Sequence, residues 1–397
     1  MNRFPLGFRL ARVASVLLLA MVALPLGAVP APRPVPTMVL IELAGGFDGL
    51  NTVVPYADPA YKAARTTLAV PNVIPLDDHL GLHPSLKALM DSWNAGDFAI
   101  LLGVGYPDPN RSHFRSIAIW DSGSESKQVV ETGWLARLLT SAPRSPDLVS
   151  DSIILGETHA GPLKGPGMHN LSFDNLDNFL RDATTLDVSP NSTGSAGYIV
   201  SVQKDIQAAA QKLTLIKPLI HDPAIPFPDT GLGRSMKTTA QLLIAGAKVP
   251  VFKLTLRGFD THGNQKADME RLLKELGDAV AAFRANLIQA GLWDQVVVTT
   301  YSEFGRRVGE NGSGGTDHGT ANPEFVWGGR VKGGLMGTQP SLTDLDQGDL
   351  KSTLDFRVVF RSLATEFWGI TDPASLHTAF PTTDGTIDLV KQLAPVM

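Results

Sequence analysis

The hydrophobic pattern divides the chain into two kinds of segment that alternate along it. Short, mainly apolar runs span residues 37–43, 98–104, 152–155, 249–256 and 295–300. Continuous apolar runs of this length are typical of strands that are buried on both faces of a parallel sheet. The pattern therefore predicts five buried strands.

The other segments repeat their apolar residues every three or four positions, as an amphipathic helix does. They span residues 86–93, 112–120, 203–215, 237–245, 266–290 and 356–368. In the longest segment, Met269, Leu272, Leu273, Leu276 and Val280 form one apolar stripe. Strands that alternate with helices of this length indicate β-α-β units. The sequence therefore predicts an α/β fold with a mostly parallel central sheet.

The N-terminus predicts a secretory signal. Three arginines without an acidic residue precede an apolar run over 13–26, and small residues follow at 27 and 28. This three-part layout is typical of a cleaved signal, and the run is short for a membrane-spanning helix. We expect residues 1–28 to be a Sec-type signal peptide, the protein to be periplasmic or secreted, and no stable membrane span to remain after cleavage. An uncleaved N-terminal anchor is the alternative.

The mature chain is predicted to be one domain behind a short lead-in. Residues 29–37 contain four alternating prolines, which favour a stiff, extended segment. From residue 38 to 397 no change of composition marks a second domain. Two stretches without periodicity, 156–170 and 187–198, are expected to be surface excursions, and the first is a candidate to cover a site.

Composition excludes several classes of function. The formal net charge is −5 and becomes −8 once the three signal arginines are removed. No Lys/Arg cluster remains, so nucleic acid is not expected as a partner. The absence of cysteine excludes zinc-thiolate, iron–sulfur and cysteine-nucleophile chemistry. No G-x-S-x-G or Walker-type motif is present, so α/β-hydrolase esterases and P-loop enzymes have no support.

Carboxylates and histidines follow two of the predicted strands. Asp48 lies in GGFDGLN (45–51), whose glycines let the backbone approach a ligand closely, although a tight Asp-Gly turn explains the segment equally well. Asp260 and His262 lie in FDTHG (259–263), after the fourth strand and before the longest helix. A carboxylate and an imidazole this close suit a divalent metal, and capping of the helix by Asp260 is the alternative.

The densest polar segment follows the fifth strand. Glu303 lies at the predicted strand end, where metal-binding carboxylates often occur, and Arg306 and Arg307 follow it. An arginine here can bind an anionic oxygen through two N–H groups. After a glycine-rich loop come Asp317 and His318. Because adjacent side chains diverge in an extended segment, we expect one of them to ligate a metal and the other to support it.

Ser112 is the candidate nucleophile. It lies in PDPNRSHF (107–114), where a proline-rich loop meets a predicted helix, and Arg111 precedes it. The N-terminus of a helix offers free N–H groups and a positive dipole end, which suit an anionic ester. A purely structural cap formed by Ser112 or Asn110 is the alternative.

These motifs together resemble the DUF1501 family, which is grouped with the alkaline phosphatase/sulfatase-like superfamily. The resemblance runs from residue 39 to about 367 and rests on six motifs: GGFDGLNTVVP (45–55), GLHP (81–84), RSHF (111–114), FDTHG (259–263), SEFGRR (302–307) and GTDHGTAN (315–322). The resemblance implies a sheet between helix layers and one or two divalent metals at the strand ends, with a serine or threonine that attacks the ester.

Carried onto this chain, the resemblance implies a metal ligand at Asp48 or Glu42, further ligands at Asp260, His262, Glu303 and His318, and the nucleophile at Ser112. From the residues themselves, Asp317 is the other candidate ligand of its pair, and Arg306 or Arg111 is expected to hold the non-bridging oxygens of the ester. One departure concerns Phe304, which stands where the superfamily commonly has a metal-binding histidine. Because phenylalanine cannot ligate, one of two metal sites is expected to be incomplete.

The function predicted from the sequence is therefore metal-dependent hydrolysis of a phosphate or sulfate ester by an exported protein. The expected cofactor is zinc, manganese or calcium, as one or two ions, and the expected partner is a small-molecule or envelope-polymer anionic ester. Two alternatives stay open. One is a non-catalytic binding or scaffold protein on a degenerate hydrolase fold, and the other is a transferase of phosphoryl or sulfuryl groups.

Overall fold

A central sheet of nine strands organises the protein, whose computed structural model describes residues 35–186 and 194–392. The predicted signal peptide and most of the proline-rich lead-in lie outside the described residues. The strands of the described part are β1 (Thr37–Ala44), β2 (Val53–Val54), β3 (Ile74–Pro75), β4 (Gly81–Leu82), β5 (Phe98–Gly105), β6 (Ser152–Leu155), β7 (Asn170–Ser172), β8 (Val251–Arg257), β9 (Val296–Tyr301), β10 (Asn322–Trp327), β11 (Gly334–Gly337), β12 (Leu345–Asp346), β13 (Asp349–Leu350) and β14 (Leu354–Asp355).

Within the sheet, the order is β11-β5-β10-β9-β1-β8-β6-β7, and β14 pairs with β5. The run β9-β1-β8-β6-β7 is parallel throughout, whereas β10 pairs antiparallel with both β5 and β9. The prediction of an α/β fold with a mostly parallel sheet is confirmed. All five predicted strands are present, but β10 was missed because Pro323 and Glu324 interrupt its apolar run.

Helices cover both faces of this sheet. They are α1 (Pro59–Ala64), α2 (Met90–Ala95), α3 (His113–Ser122), α4 (Trp134–Leu139), α5 (Leu176–Thr184), α6 (Gly194–Ile216), α7 (Gly231–Ile244), α8 (Gln265–Gln289), α9 (Phe356–Ser362) and α10 (Pro373–Ala379). One apolar core holds side chains of α5 to α8, and a second, on the other face, holds those of α3, α4, α9 and α10. Two layers form because each sheet face must be covered.

The predicted helices occur with shifted ends. The predicted helix over 86–93 is a 3₁₀ turn followed by α2, and the one over 356–368 is α9 followed by a π-helical segment. Residues 194–198, predicted as part of an excursion, belong to α6. No helix of residues 35–186 and 194–392 has the length and apolarity that are needed to cross a membrane.

Glu324 is a buried carboxyl group at the centre of the sheet. It is 1% exposed, and neither of its oxygens has a hydrogen-bond partner among the described residues. Burial raises its pKa well above the ordinary value, so it is held in the neutral form. In the unfolded chain the same group ionises above a pH of roughly 4.3. Stability is therefore lost as pH rises from that value towards the folded-state pKa.

We expect Glu324→Gln to stabilise the protein at pH 7, because the amide stays neutral in both states. The gain is counted from roughly 4.3, the pKa of an unfolded glutamate, up to pH 7 or to the folded-state pKa, whichever is lower. Each pH unit in that interval is expected to contribute about 1.4 kcal/mol. Urea denaturation at pH 4 and pH 7 measures it, with Glu270→Gln on the exposed side of α8 as the control. Equal stability of wild type and Glu324→Gln at pH 7 would contradict the expectation.

Candidate metal centre

Three histidine side chains converge on the carboxylate of Asp260. The Nε2 atoms of His262 and His318 lie 3.1 and 3.3 Å from its Oδ1, and Nε2 of His113 lies 3.5 Å from its Oδ2. The two imidazole nitrogens of His262 and His318 are 3.0 Å apart. These four residues, which we call the histidine cluster, come from three separate parts of the chain.

Two of the histidines are held from behind by carboxylates. Nδ1 of His113 lies 2.8 Å from Oε1 of Glu303, and Nδ1 of His262 lies 3.0 Å from Oδ1 of Asp317. An ionised carboxylate only accepts hydrogen bonds, so each Nδ1 carries the proton. The Nε2 atom of each ring faces Asp260 and offers a lone pair to a cation whenever it is deprotonated. Asp317 thus takes a supporting position behind His262.

The third histidine is oriented by backbone. Nδ1 of His318 donates to the carbonyl oxygen of Arg111 at 2.8 Å, and a carbonyl cannot donate in return. The ring of Phe304 packs against the rings of His113 and His318, with centroids 4.9 and 4.7 Å away. The phenylalanine that departs from the superfamily pattern therefore forms an apolar wall of the cluster.

The fold brings these residues together at the carboxyl ends of two parallel strands. Asp260 and His262 follow β8, Glu303 follows β9, and His113 is the first residue of α3. The loop after β1 packs closely against the loop that carries Asp260, and this requires glycine at position 45. There φ is +124°, and a Cβ atom would lie 2.3 Å from the amide nitrogen of Asp260. Strand ends of parallel sheets are where ligands bind in such folds.

Glu303 lies behind His113 and is itself largely buried. Its carboxylate accepts hydrogen bonds from the amide of Gly45 at 2.9 Å and from the hydroxyl of Ser302 at 3.1 Å. The hydrogen bond that His113 donates to Glu303 and the charge of that carboxylate outweigh burial and raise the pKa of His113. The predicted ligand Glu303 is therefore placed to orient an imidazole at the cluster.

Arg306 lies beneath the cluster and is 1% exposed. Its guanidinium donates to the carbonyl oxygens of Gly45, Gly46, Phe259 and Thr316 and, at 2.7 Å, to Oδ1 of Asp260. Burial acts to raise the pKa of Asp260, but the hydrogen bond and charge of Arg306 outweigh it and lower that pKa. Arg306, predicted to bind a substrate oxygen, thus has its N–H groups engaged by the protein.

Asp48 is not part of the histidine cluster. It is 1% exposed, and Nη1 and Nη2 of Arg65 lie 2.7 and 3.2 Å from its two oxygens. Gln265 also donates to it, and Oε1 of Gln265 accepts from the hydroxyl of Thr316 at 2.6 Å. Asp48 therefore fixes the two loops that carry the cluster, and the sequence showed neither of its partners.

Glu42, the alternative to Asp48, belongs to a separate buried ion-pair network. Its Oε2 lies 2.8 Å from Nζ of Lys253, and the hydroxyl of Tyr301 donates to the same oxygen at 3.2 Å. Lys253 also pairs with Glu157, the second residue of the excursion over 156–170. Burial acts to lower the pKa of Lys253, but the two carboxylates outweigh it and raise that pKa. The network fastens the excursion to the sheet.

Ser112 and Arg111 lie directly beside the cluster. Ser112 precedes His113 and occupies the N-cap position of α3, but its exposed side chain makes no capping hydrogen bond. Its amide donates to Oδ1 of Asn110 at 2.9 Å. The serine hydroxyl therefore makes no capping hydrogen bond at the start of α3.

The cluster has the donors and the spacing that a divalent metal requires. Ligand atoms of His113, Asp260 and His318 all lie within 4.8 Å of one another. In a tetrahedral zinc site, ligand atoms are separated by about 3.3 Å. The Nε2 atoms of His262 and His318 are 3.0 Å apart, close to that separation. The residues present therefore fit a metal ion.

His113 is the one member of the cluster that the sequence analysis did not select as a ligand. It belongs to the RSHF motif (111–114), in which Ser112 is the predicted nucleophile. The 147 positions that separate it from Asp260 hide the contact from any local pattern. The motif itself was the available signal.

The family resemblance is confirmed by a direct match. Residues 232–358 match the model of the family described as "Protein of unknown function (DUF1501)". This stretch contains three of the six motifs, including those that carry Asp260, Glu303 and His318. No curated protein matches the sequence.

Several solved structures are similar to this chain. They include Ps i-CgsB in complex with k-i-k-neocarrahexaose (11% identity, TM-score 0.42, 89% of this chain and 75% of that chain). PsFucS1 sulfatase from Pseudoalteromonas sp. has 12% identity and a TM-score of 0.36, over 90% and 71%. The lipoteichoic acid synthase LtaP from Listeria monocytogenes has 9% identity and a TM-score of 0.35, over 85% and 72%. At these values none of them assigns an activity or a substrate to this chain.

Proposed function

We propose that the protein is an exported, metal-dependent hydrolase of phosphate or sulfate esters. The observation that carries the proposal is the histidine cluster, in which three imidazole Nε2 atoms lie 3.1, 3.3 and 3.5 Å from the carboxylate oxygens of Asp260. Each ring has its Nδ1 bound to an oxygen acceptor, the arrangement that orients metal-binding histidines in proteins. Export rests on the predicted signal peptide.

The donor set supports one ion of zinc or manganese. Three nitrogens and one carboxylate suit a borderline metal, whereas calcium prefers six or more oxygen ligands. A second ion would need further carboxylates. Asp48 is paired with Arg65, and Glu303 is engaged by His113 and by the amide of Gly45. We therefore favour a single ion held by His113, His262, His318 and Asp260.

When bound, such an ion would polarise the ester and lower the pKa of an attacking hydroxyl group. The residues of the chain would then position the reactants. The rings of His113 and His318 direct their Nε2 atoms inward, and Phe304 excludes water from one side of them. Arg306 holds Asp260 in its ionised form. An ionised Asp260 is what the ligand role requires.

Ser112 is proposed as the nucleophile. Its Oγ forms a bond to phosphorus or sulfur while the bond to the ester oxygen breaks, and the alcohol leaves with the hydroxyl proton. Water then cleaves the seryl ester, which releases phosphate or sulfate and restores the serine. The free side chain at the start of α3, next to a cluster residue, supports this role.

The proposed function is tested by metal content and turnover. Elemental mass spectrometry of the mature protein, purified without chelator, is expected to give one zinc or manganese per chain. The same preparation should hydrolyse p-nitrophenyl phosphate or p-nitrophenyl sulfate, and EDTA should abolish the activity. A folded protein that takes up no metal would overturn the proposal and favour a binding protein. Metal with turnover only when an acceptor alcohol is added would favour a transferase.

Ser112→Ala separates the chemistry from metal binding. Because the serine is not among the proposed ligands, we expect the variant to keep one metal per chain and to lose roughly 1,000-fold or more in kcat. Ser126→Ala is the matched control, since Ser126 lies in a loop of the same region and its hydroxyl makes no hydrogen bond to a described residue. Full activity in Ser112→Ala would show that water or another group attacks the ester.

A further inference from the structure

Two arginines beside the histidine cluster share one buried carboxylate. Nη1 of Arg111 lies 2.7 Å from Oδ2 of Asp349, and Nε of Arg307 lies 3.4 Å from Oδ1 of the same residue. Asp349 is 4% exposed in its side chain, whereas each arginine side chain is 37% exposed. Two positive charges thus face solvent around a single buried negative charge.

Most N–H groups of this pair have no partner within residues 35–186 and 194–392. Arg111 makes one side-chain hydrogen bond, and Arg307 adds only a contact from Nη2 to the carbonyl oxygen of Gln347 at 3.2 Å. A guanidinium carries five N–H donors in a planar fork that matches the oxygens of phosphate or sulfate. Asp346, on the same hairpin, is exposed and forms no ion pair with either arginine of the described chain.

The buried pair Arg65–Asp48 shows what a purely structural arginine looks like in this protein. Arg65 is 0% exposed, and its guanidinium is bound to Asp48 and to the carbonyl oxygens of Val308 and Arg307. One arginine is enough to neutralise that carboxylate. Asp349 has two, and both leave donors directed outward. Neutralisation of Asp349 alone does not explain the second arginine.

The backbone ties the arginine pair to the cluster while the side chains point elsewhere. The carbonyl oxygen of Arg111 holds His318, and the amide of Arg307 donates to the carbonyl oxygen of Asp317 at 3.0 Å. The guanidiniums contact the hairpin of β12 and β13, whereas that of Arg306 reaches Asp260. An anion bound by the pair would therefore lie outside the atoms proposed to hold the metal, on segments whose backbone is tied to the cluster.

We infer that Arg111 and Arg307, positioned by Asp349, form an anion subsite that binds a second phosphate or sulfate group of the substrate. This inference rests on the proposed function, in which the cluster binds the group that is cleaved. It extends that function by assigning the substrate to molecules with at least two such groups. The cluster is open to solvent, since the side chain of His262 is 46% exposed. A chain of repeated anionic units could therefore extend from the cluster to the arginine pair.

The subsite can be tested without metal and therefore without activity. Inorganic sulfate is titrated by calorimetry into EDTA-treated protein at low ionic strength. We expect wild type to bind sulfate and Arg307→Gln to bind about tenfold more weakly or worse, because a charge-assisted contact is lost. Arg234→Gln, which removes an exposed arginine paired with Asp229, should bind as wild type does. No binding, or equal binding by wild type and Arg307→Gln, would overturn the subsite.

A double variant distinguishes binding from a structural role. If Arg307 served only to neutralise Asp349, then Arg307→Gln/Asp349→Asn would recover thermal stability and sulfate affinity together. We expect the double variant to recover stability and to remain weak in sulfate binding. Recovery of both would overturn the inference.

The metal-loaded protein identifies the source of the anionic group. With phosphate added to the zinc-loaded wild type, two anions per chain are expected, and one in Arg307→Gln. The contrary result is that wild type binds a single anion per chain, with an affinity that Arg307→Gln lowers. That result would mean that the pair binds the cleaved group itself, and it would overturn the assignment to a second group. Failure of zinc loading affects only the proposed function, because the metal-free titration stands independently.

Discussion

Replacing His318 with alanine is expected to lower the affinity of the protein for zinc by about 100-fold or more. Loss of a residue that merely orients a ligand already costs 10–100-fold in comparable sites, and His318 is proposed to contact the ion itself. The variant also removes the ring that lies between Phe304 and His262. Hydrolysis of p-nitrophenyl esters should fall in parallel with zinc occupancy.

Competition with a chromogenic chelator measures this affinity. His79→Ala is the matched control, because His79 lies in an exposed turn far along the chain from the cluster. Asp317→Ala should give an intermediate loss, since it releases His262 without removing a proposed ligand. A double variant with Asp260→Ala and His318→Ala that kept both metal and activity would contradict the proposed centre.

Replacing Lys253 with methionine is expected to destabilise the protein by about 3–5 kcal/mol, the range measured when one partner of a buried ion pair is removed. The Lys253 side chain is 0% exposed and lies between Glu42 and Glu157, which are 11% and 4% exposed. Methionine fills a similar volume but leaves Glu42 without its cation and Glu157 with Arg257 alone. The expected loss is therefore one of charge compensation, with little change in packing.

Urea denaturation at pH 7 gives the free energy of unfolding of each protein. Lys274→Met removes an exposed lysine paired with Asp278 on α8 and should change that free energy by about 1 kcal/mol or less. Burial acts to raise the pKa of Glu157, but Lys253, together with Thr255 and Arg257, outweighs it and lowers that pKa. The stability from this pairing is present above the ordinary glutamate pKa and is lost as pH falls through the lowered one. The loss of unfolding free energy in Lys253→Met, relative to wild type, should therefore become smaller in acid. A loss that does not change with pH would contradict a charge effect.

The elements of the sheet were predictable because their signals are local. Strand β8 and helix α8 show the apolar run and the three-to-four periodicity in adjacent residues, so Asp260 and His262 could be assigned to the loop between them. Strand β10 shows no such run, since Pro323 and Glu324 interrupt it, and its burial depends on neighbours that are distant in sequence. Burial by tertiary contact overrides local pattern at such positions.

The sequence by itself determined the α/β class, the family resemblance and the strand ends at which the chemical residues lie. These properties can be predicted because periodicity and motif spacing depend on residues that lie close together in the sequence. Only the tertiary structure decided which of those residues meet. It placed His113 against Asp260 across 147 positions of the chain, paired Asp48 with Arg65 instead of with the cluster, and set Glu303 behind a histidine. The physical reason is that ligation and charge compensation depend on distances of a few ångströms between side chains, and those distances follow from how strands and loops pack, which no local pattern encodes.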